Sequence, residues 1–249
     1  MKRVAVLFSA FLLVVLAASS AFAHFGMLVP DTDEVTQAKR DINLVLSFSH
    51  PFERNGMELV KPEQFFVVAD GEAKTDLSGA LVKTKIMDHT AWKVHYTPKA
   101  PGLYVFAMVP HPYKEDAENN YIQHLTKVYV DAYGEGEDWM KPLGLRTEII
   151  PLTRPFGNYA GNVFQGQVLF EGKPAAHTRV EVEFYNKNGK RTAPNDRMVT
   201  QEVMADQNGV FTFACPWKGW WGFAALTTAP EEYKGRELEL GAVMWVDMK

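Results

Sequence analysis

Apolar and polar residues alternate with a period of two along most of the chain. Ile42, Leu44, Leu46 and Phe48 are separated by Asn43, Val45 and Ser47, which predicts a strand with one strongly apolar face. The same pattern predicts strands over 65–69, 81–87, 91–96, 103–109 and 122–130. Later in the chain it predicts strands over 166–170, 180–184, 198–205, 210–214, 222–228 and 241–247. Turn sequences punctuate these segments: Asn55-Gly56, Asp70-Gly71, Asn188-Gly189 and Asp206 to Gly209. Short strands at turn-separated intervals, without a long helical period, predict an all-β protein of two immunoglobulin-like or transthyretin-like β-sandwich domains. The glycine- and acid-containing stretch 133–146 divides them, giving domains over 24–145 and 146–249. Trp217, Trp220 and Trp221 read as packing residues within or between these domains.

The beginning of the chain departs from this pattern. Met1-Lys2-Arg3, an apolar run from Val4 to Ala18 and the small-x-small end Ala21-Phe22-Ala23 read as a secretory signal peptide over 1–23. Cleavage after Ala23 makes His24 the first residue of the mature protein. A first-position His carries an imidazole and a free α-amine, two nitrogens that can chelate one ion near neutral pH. No later apolar run is long enough for a membrane span, so no membrane insertion is expected after cleavage.

Composition narrows the chemistry of any site. Loss of Lys2 and Arg3 takes the formal net charge from −4 to −6, and no basic patch stands out, which argues against a nucleic-acid partner. Cys215 is the only cysteine, so an intramolecular disulfide and a thiolate-rich metal site are both excluded. A metal must therefore be held by nitrogen and oxygen donors. His50 and His124 have the parity of the apolar faces of their strands, and each sits near a strand end. Together with His24 they form a candidate three-histidine metal site. His111, held between Pro110 and Pro112, is a candidate fourth donor, and Glu53 a candidate carboxylate to orient an imidazole. His95 and His177 read as exposed bystanders. Ser49 and His50 are strand neighbours that point to opposite faces, and no other nucleophile, paired-carboxylate or phosphate-loop pattern appears. The sequence thus gives no sign of an enzyme.

His24-Phe25-Gly26-Met27, the block Ser47 to Phe52, Tyr121 to Lys127 and the tail from Pro151 through Gly222 resemble a secreted bacterial family of unknown function. That family is grouped with periplasmic components of cobalt and nickel uptake systems of the ABC type. The C-terminal half, with Gly172-Lys173-Pro174 and Asp206 to Phe213, also resembles carboxypeptidase-regulatory, transthyretin-like sandwiches. The resemblance implies a periplasmic location and a nickel or cobalt ion passed to a membrane uptake transporter. Nitrogen donors suit both ions, and copper binds such sites more tightly still. The alternatives are therefore a periplasmic copper carrier, a copper mono-oxygenase with an N-terminal His, or a non-metal interaction module.

Overall fold

The computed structural model describes residues 24–249, and the expected signal segment 1–23 lies outside them. The described chain is all-β, with only two single-turn 3₁₀ segments, Ser78–Ala80 and Asp196–Met198. The strands predicted from alternation are present, several of them longer at one or both ends, but the strand expected over 198–205 is only Gln201–Met204, with Met198 in the 3₁₀ segment Asp196–Met198, and the one expected over 81–87 is Val82–Ile86. Phe25–Pro30 and Thr147–Pro151 are additional strands whose short apolar runs carry no clear alternation.

Three sheets build the molecule. A front sheet runs in the order Phe25–Pro30, Ile42–His50, His89–Tyr96, Val82–Ile86, with Asn55–Met57 also paired to Ile42–His50. A back sheet contains Thr147–Pro151, Val163–Phe170, Lys173–Pro174 and Val210–Ala214. Between them lies a ten-stranded central sheet. Its path begins in the second half of the chain with Gln201–Met204, Arg179–Phe184, Gly219–Thr228 and Leu238–Met248. It continues into the first half with Asn120–Ala132, Gly102–Val109, Gln64–Ala69 and Thr75–Asp76. The two halves are joined by a parallel pairing, with Tyr121 opposite Leu238 through Val128 opposite Trp245.

The two β-sandwiches therefore use opposite faces of one shared sheet. Leu44, Leu46 and Phe48 of the front sheet share a core with Phe106, Val128, Val130, Val243 and Trp245. Ile149, Phe164, Val168 and Phe211 of the back sheet share a second core with Val182, Phe223, Met244 and Val246. Along Leu238–Met248, Ala242, Met244 and Val246 face the second core while Val243 and Trp245 face the first. Because both faces are covered, Gly102–Val109 and Gly219–Thr228 carry nearly continuous apolar runs, as buried strands do. Leu103, Val105 and Tyr129 come from the first half of the chain but pack in the second core. The halves are thus interlocked as well as hydrogen-bonded. Trp221 is buried in the second core against Phe184 and Trp217, and Trp220 packs on the edge of the first.

A fully buried ion pair spans the junction. Lys127 Nζ lies 2.8 Å from Glu148 Oε2. The same carboxylate accepts the backbone N–H groups of Leu143 and Gly144, both at 3.0 Å. It fixes the end of the connecting segment against the central sheet.

Candidate metal centre

The first described strand lies at the edge of the front sheet, where it meets the central sheet. Its antiparallel register pairs Phe25 with Ser49 and Gly26 with Phe48. One step further along that register, His24 lies across from His50. Their ring centroids are 4.6 Å apart, with the planes tilted by 51°. His24 also stacks on Phe48 at 5.7 Å and lies 6.3 Å from the Tyr113 ring.

Gly26 sets the position of this strand. Its N–H donates to His124 Nδ1 at 3.2 Å, and its carbonyl accepts from Trp245 Nε1 at 2.9 Å and from Thr126 Oγ1 at 3.3 Å. A Cβ at Gly26 would fall 2.4 Å from Thr126 Oγ1 and 3.0 Å from His124 Cβ, so only glycine permits this approach. The His124 ring in turn leans over Gly241, its register partner on the neighbouring strand. A Cβ there would meet His124 Cδ2 at 2.3 Å. The histidine end of the site is therefore built by two glycines that let one ring sit between two sheets.

The hydrogen bonds assign different work to His24 and His124. His24 Nε2 is 2.8 Å from Glu115 Oε2 in a mostly buried pair. A carboxylate accepts only, so Nε2 carries the proton and the Nδ1 lone pair of His24 is left for another partner. Burial first, then the neighbouring His50 and His124, lower the His24 pKa to about 4, although Glu115 and Glu239 pull it upward. The ring is therefore neutral at pH 7, the form that binds metals.

His124 is oriented the other way. Its Nδ1 faces the backbone N–H of Gly26, so the ring proton sits on Nε2, 4.0 Å from Glu239 Oε1. If Nε2 bound a metal, the proton of the neutral ring would move to Nδ1 and confront that N–H. As arranged here, His124 fastens the His24 strand to the central sheet.

His111 stands apart, half exposed and 2.8 Å from Glu63 Oε1. It lies on the wall of a neighbouring cavity of about 290 Å³, together with Phe48, Tyr113, Ile122 and His124. The carboxylate that meets His24 is Glu115, whereas Glu53 lies close enough to Asp196 for that charge to raise its pKa, after burial. His95 is exposed, with Nδ1 3.1 Å from Asn43 Oδ1, and His177 is exposed. Sequence parity found His50 and His124. Parity misses Glu115: it lies in the strand Tyr113–Glu115, which pairs with Asn120–Ala132 with Glu115 opposite Asn120, and this pairing, not a local sequence signal, brings it to His24.

Among the described residues, no group of three or more His, Cys, Asp or Glu side chains is arranged to hold a metal ion. The His24 and His50 ring centroids, 4.6 Å apart, are within the separation that two imidazoles on one ion span, with nitrogen–metal bonds of about 2 Å. A third donor has to come from elsewhere, and the α-amine of a processed His24 is attached to the same residue.

The domain of unknown function DUF4198 matches residues 21–229. The chain belongs to this family. No curated protein matches it. Among solved structures it is similar to the D0–D1 domain of intimin, at 10% identity and a TM-score of 0.25, covering 91% of this chain and all of that one. It is also similar to dimeric latent PorU from Porphyromonas gingivalis, at 13% identity and a TM-score of 0.23, covering 90% of this chain and 20% of that one. A third is the chicken CNTN1 FN1–FN3 structure, at 10% identity and a TM-score of 0.21, covering 90% and 66%. Among the described residues no helix is long and apolar enough to cross a membrane.

Proposed function

We propose that the protein, cut after Ala23, binds one divalent transition-metal ion outside the cytoplasm. The ligands in this reading are the α-amine and Nδ1 of His24 and the imidazole of His50. The observation that carries it is the 4.6 Å separation of the two rings, with His24 turned by Glu115 so that Nδ1 is free. His124 and Trp245 act by holding Gly26, and through it the ligand strand.

A chain terminus supplying two of three donors suits a carrier, because the terminus can lift away without unfolding the sandwich. The cargo in this reading is nickel or cobalt, delivered to a membrane uptake transporter from the periplasm. Copper is the competing ion, since a set of nitrogen donors ranks it above nickel and cobalt in affinity.

The test uses two proteins, one starting at His24 and one with a single Gly before it. In the second the His24 nitrogen is an amide and a poor donor. Calorimetric titration with nickel, cobalt and copper should show one equivalent bound by the first protein and at least about tenfold weaker binding by the second. His50→Ala should weaken binding similarly. Equal affinity of both forms for all three ions would refute the reading.

A further inference from the structure

We propose that a second cavity, remote in the fold from the His24 site, binds a small apolar molecule that ends in an acceptor oxygen, a carbonyl or a carboxylate. The cavity measures about 250 Å³. Its floor is the back-sheet-facing side of the central sheet, with Val68, Leu103, Val105 and Tyr129. Its cover is the segment from Glu137 to Leu143, including Trp139.

Around this cavity Trp139 Nε1 is buried without a hydrogen-bond partner, and the buried Tyr129 Oη, which faces the Lys127 ammonium, has no acceptor for its proton. An indole N–H is a donor only, and a phenol can donate. Leaving such donors buried and unpaired is costly, so a bound group with an acceptor atom is favoured there. Tyr129 is fully buried, and the Lys127 ammonium lies 5.6 Å from its ring centroid. That positive charge attracts the hydroxyl oxygen and leaves its proton for an acceptor.

The cover is held in place rather than loosely draped. Asp131 Oδ1 accepts the Gly136 N–H at 2.8 Å on one side, and Glu148 accepts the Leu143 and Gly144 N–H groups on the other. Trp139 packs edge-on against Phe156 at 6.2 Å. The walls are thus preformed, which lowers the cost of binding. Val68, Leu103, Val105 and Leu143 match an aliphatic body. At the rim, Lys141 is already paired with Asp138 at 2.7 Å, so charge does not select the ligand and the acceptor oxygen does.

The proposal is independent of the metal reading, and its test uses the mature protein without metal. The Trp139 indole N–H resonance, assigned with Trp139→Phe, is followed during titration with three probes of one shape. These are 4-methylpentanoate, 4-methylpentanamide and 4-methylpentylamine. The acid, the amide or both should shift this resonance saturably, and which one does so distinguishes a carboxylate from a neutral carbonyl ligand. The amine has no acceptor oxygen and should not shift it. Tyr129→Phe should weaken binding about 5–10-fold. No saturable shift with either oxygen probe, or an equal shift with the amine, overturns the proposal. So does unchanged affinity in a folded Tyr129→Phe variant.

Discussion

Lys127→Met removes one half of the buried pair that ties the connecting segment to the central sheet. Both partners are essentially inaccessible, at 1% and 2% side-chain exposure. The methionine fills much the same space, so the effect is electrostatic. Glu148 keeps its two backbone donors, Leu143 and Gly144, but loses its counter-charge. Breaking a buried pair from one side costs about 3–5 kcal/mol. The loss at pH 7 should therefore be about 3–5 kcal/mol. The double variant Lys127→Met/Glu148→Gln carries no charge, and its amide oxygen still accepts one of the two N–H groups. It should recover most of the loss. Urea unfolding at pH 7 measures all of these quantities. A Lys127→Met protein within about 1 kcal/mol of the parent would show that the pair does not hold the junction in this way.

Glu183 offers a pH test. Burial raises its pKa to about 8, against the opposing hydrogen bonds from Thr200 and the Phe52 N–H. Its unfolded value is near ~4.3, so between these values the folded state holds a proton that the unfolded state has released, and stability falls as pH rises. Glu183→Gln preserves both hydrogen bonds, and its advantage over the parent should grow by about 2–4 kcal/mol between pH 5 and pH 8 in urea unfolding; a pH-independent difference would contradict this. Glu115→Ala removes the acceptor that fixes the His24 ring, and in the protein starting at His24 it should weaken metal binding about 10–100-fold without changing the melting temperature by more than a few degrees. Unchanged affinity would mean that Glu115 does not orient a ligand.

Sequence alone determined the strand content, because the side-chain period of a strand is written in the order of residues. Ile42, Leu44, Leu46 and Phe48 face inward in the structure as their alternation requires, and the same parity places His50 and His124 on buried faces. It also reached the all-β class and the presence of two sandwiches. Period two says nothing about which strands pair across a hundred residues. That Asn120–Ala132 lies parallel to Leu238–Met248, merging both halves into one sheet, was decided by tertiary packing. The buried Lys127–Glu148 pair follows from that merger, since neither residue is apolar and nothing near either one signals the other.

The site divides in the same way. Strand parity could bring two histidines to the interior. The direction of each imidazole depends on its hydrogen-bond partners, which come from other strands. Glu115 turns His24 so that Nδ1 is free, and Gly26 takes up Nδ1 of His124. Residue type and spacing do not encode a tautomer. It is fixed only when sheet register sets a donor or an acceptor against each ring nitrogen.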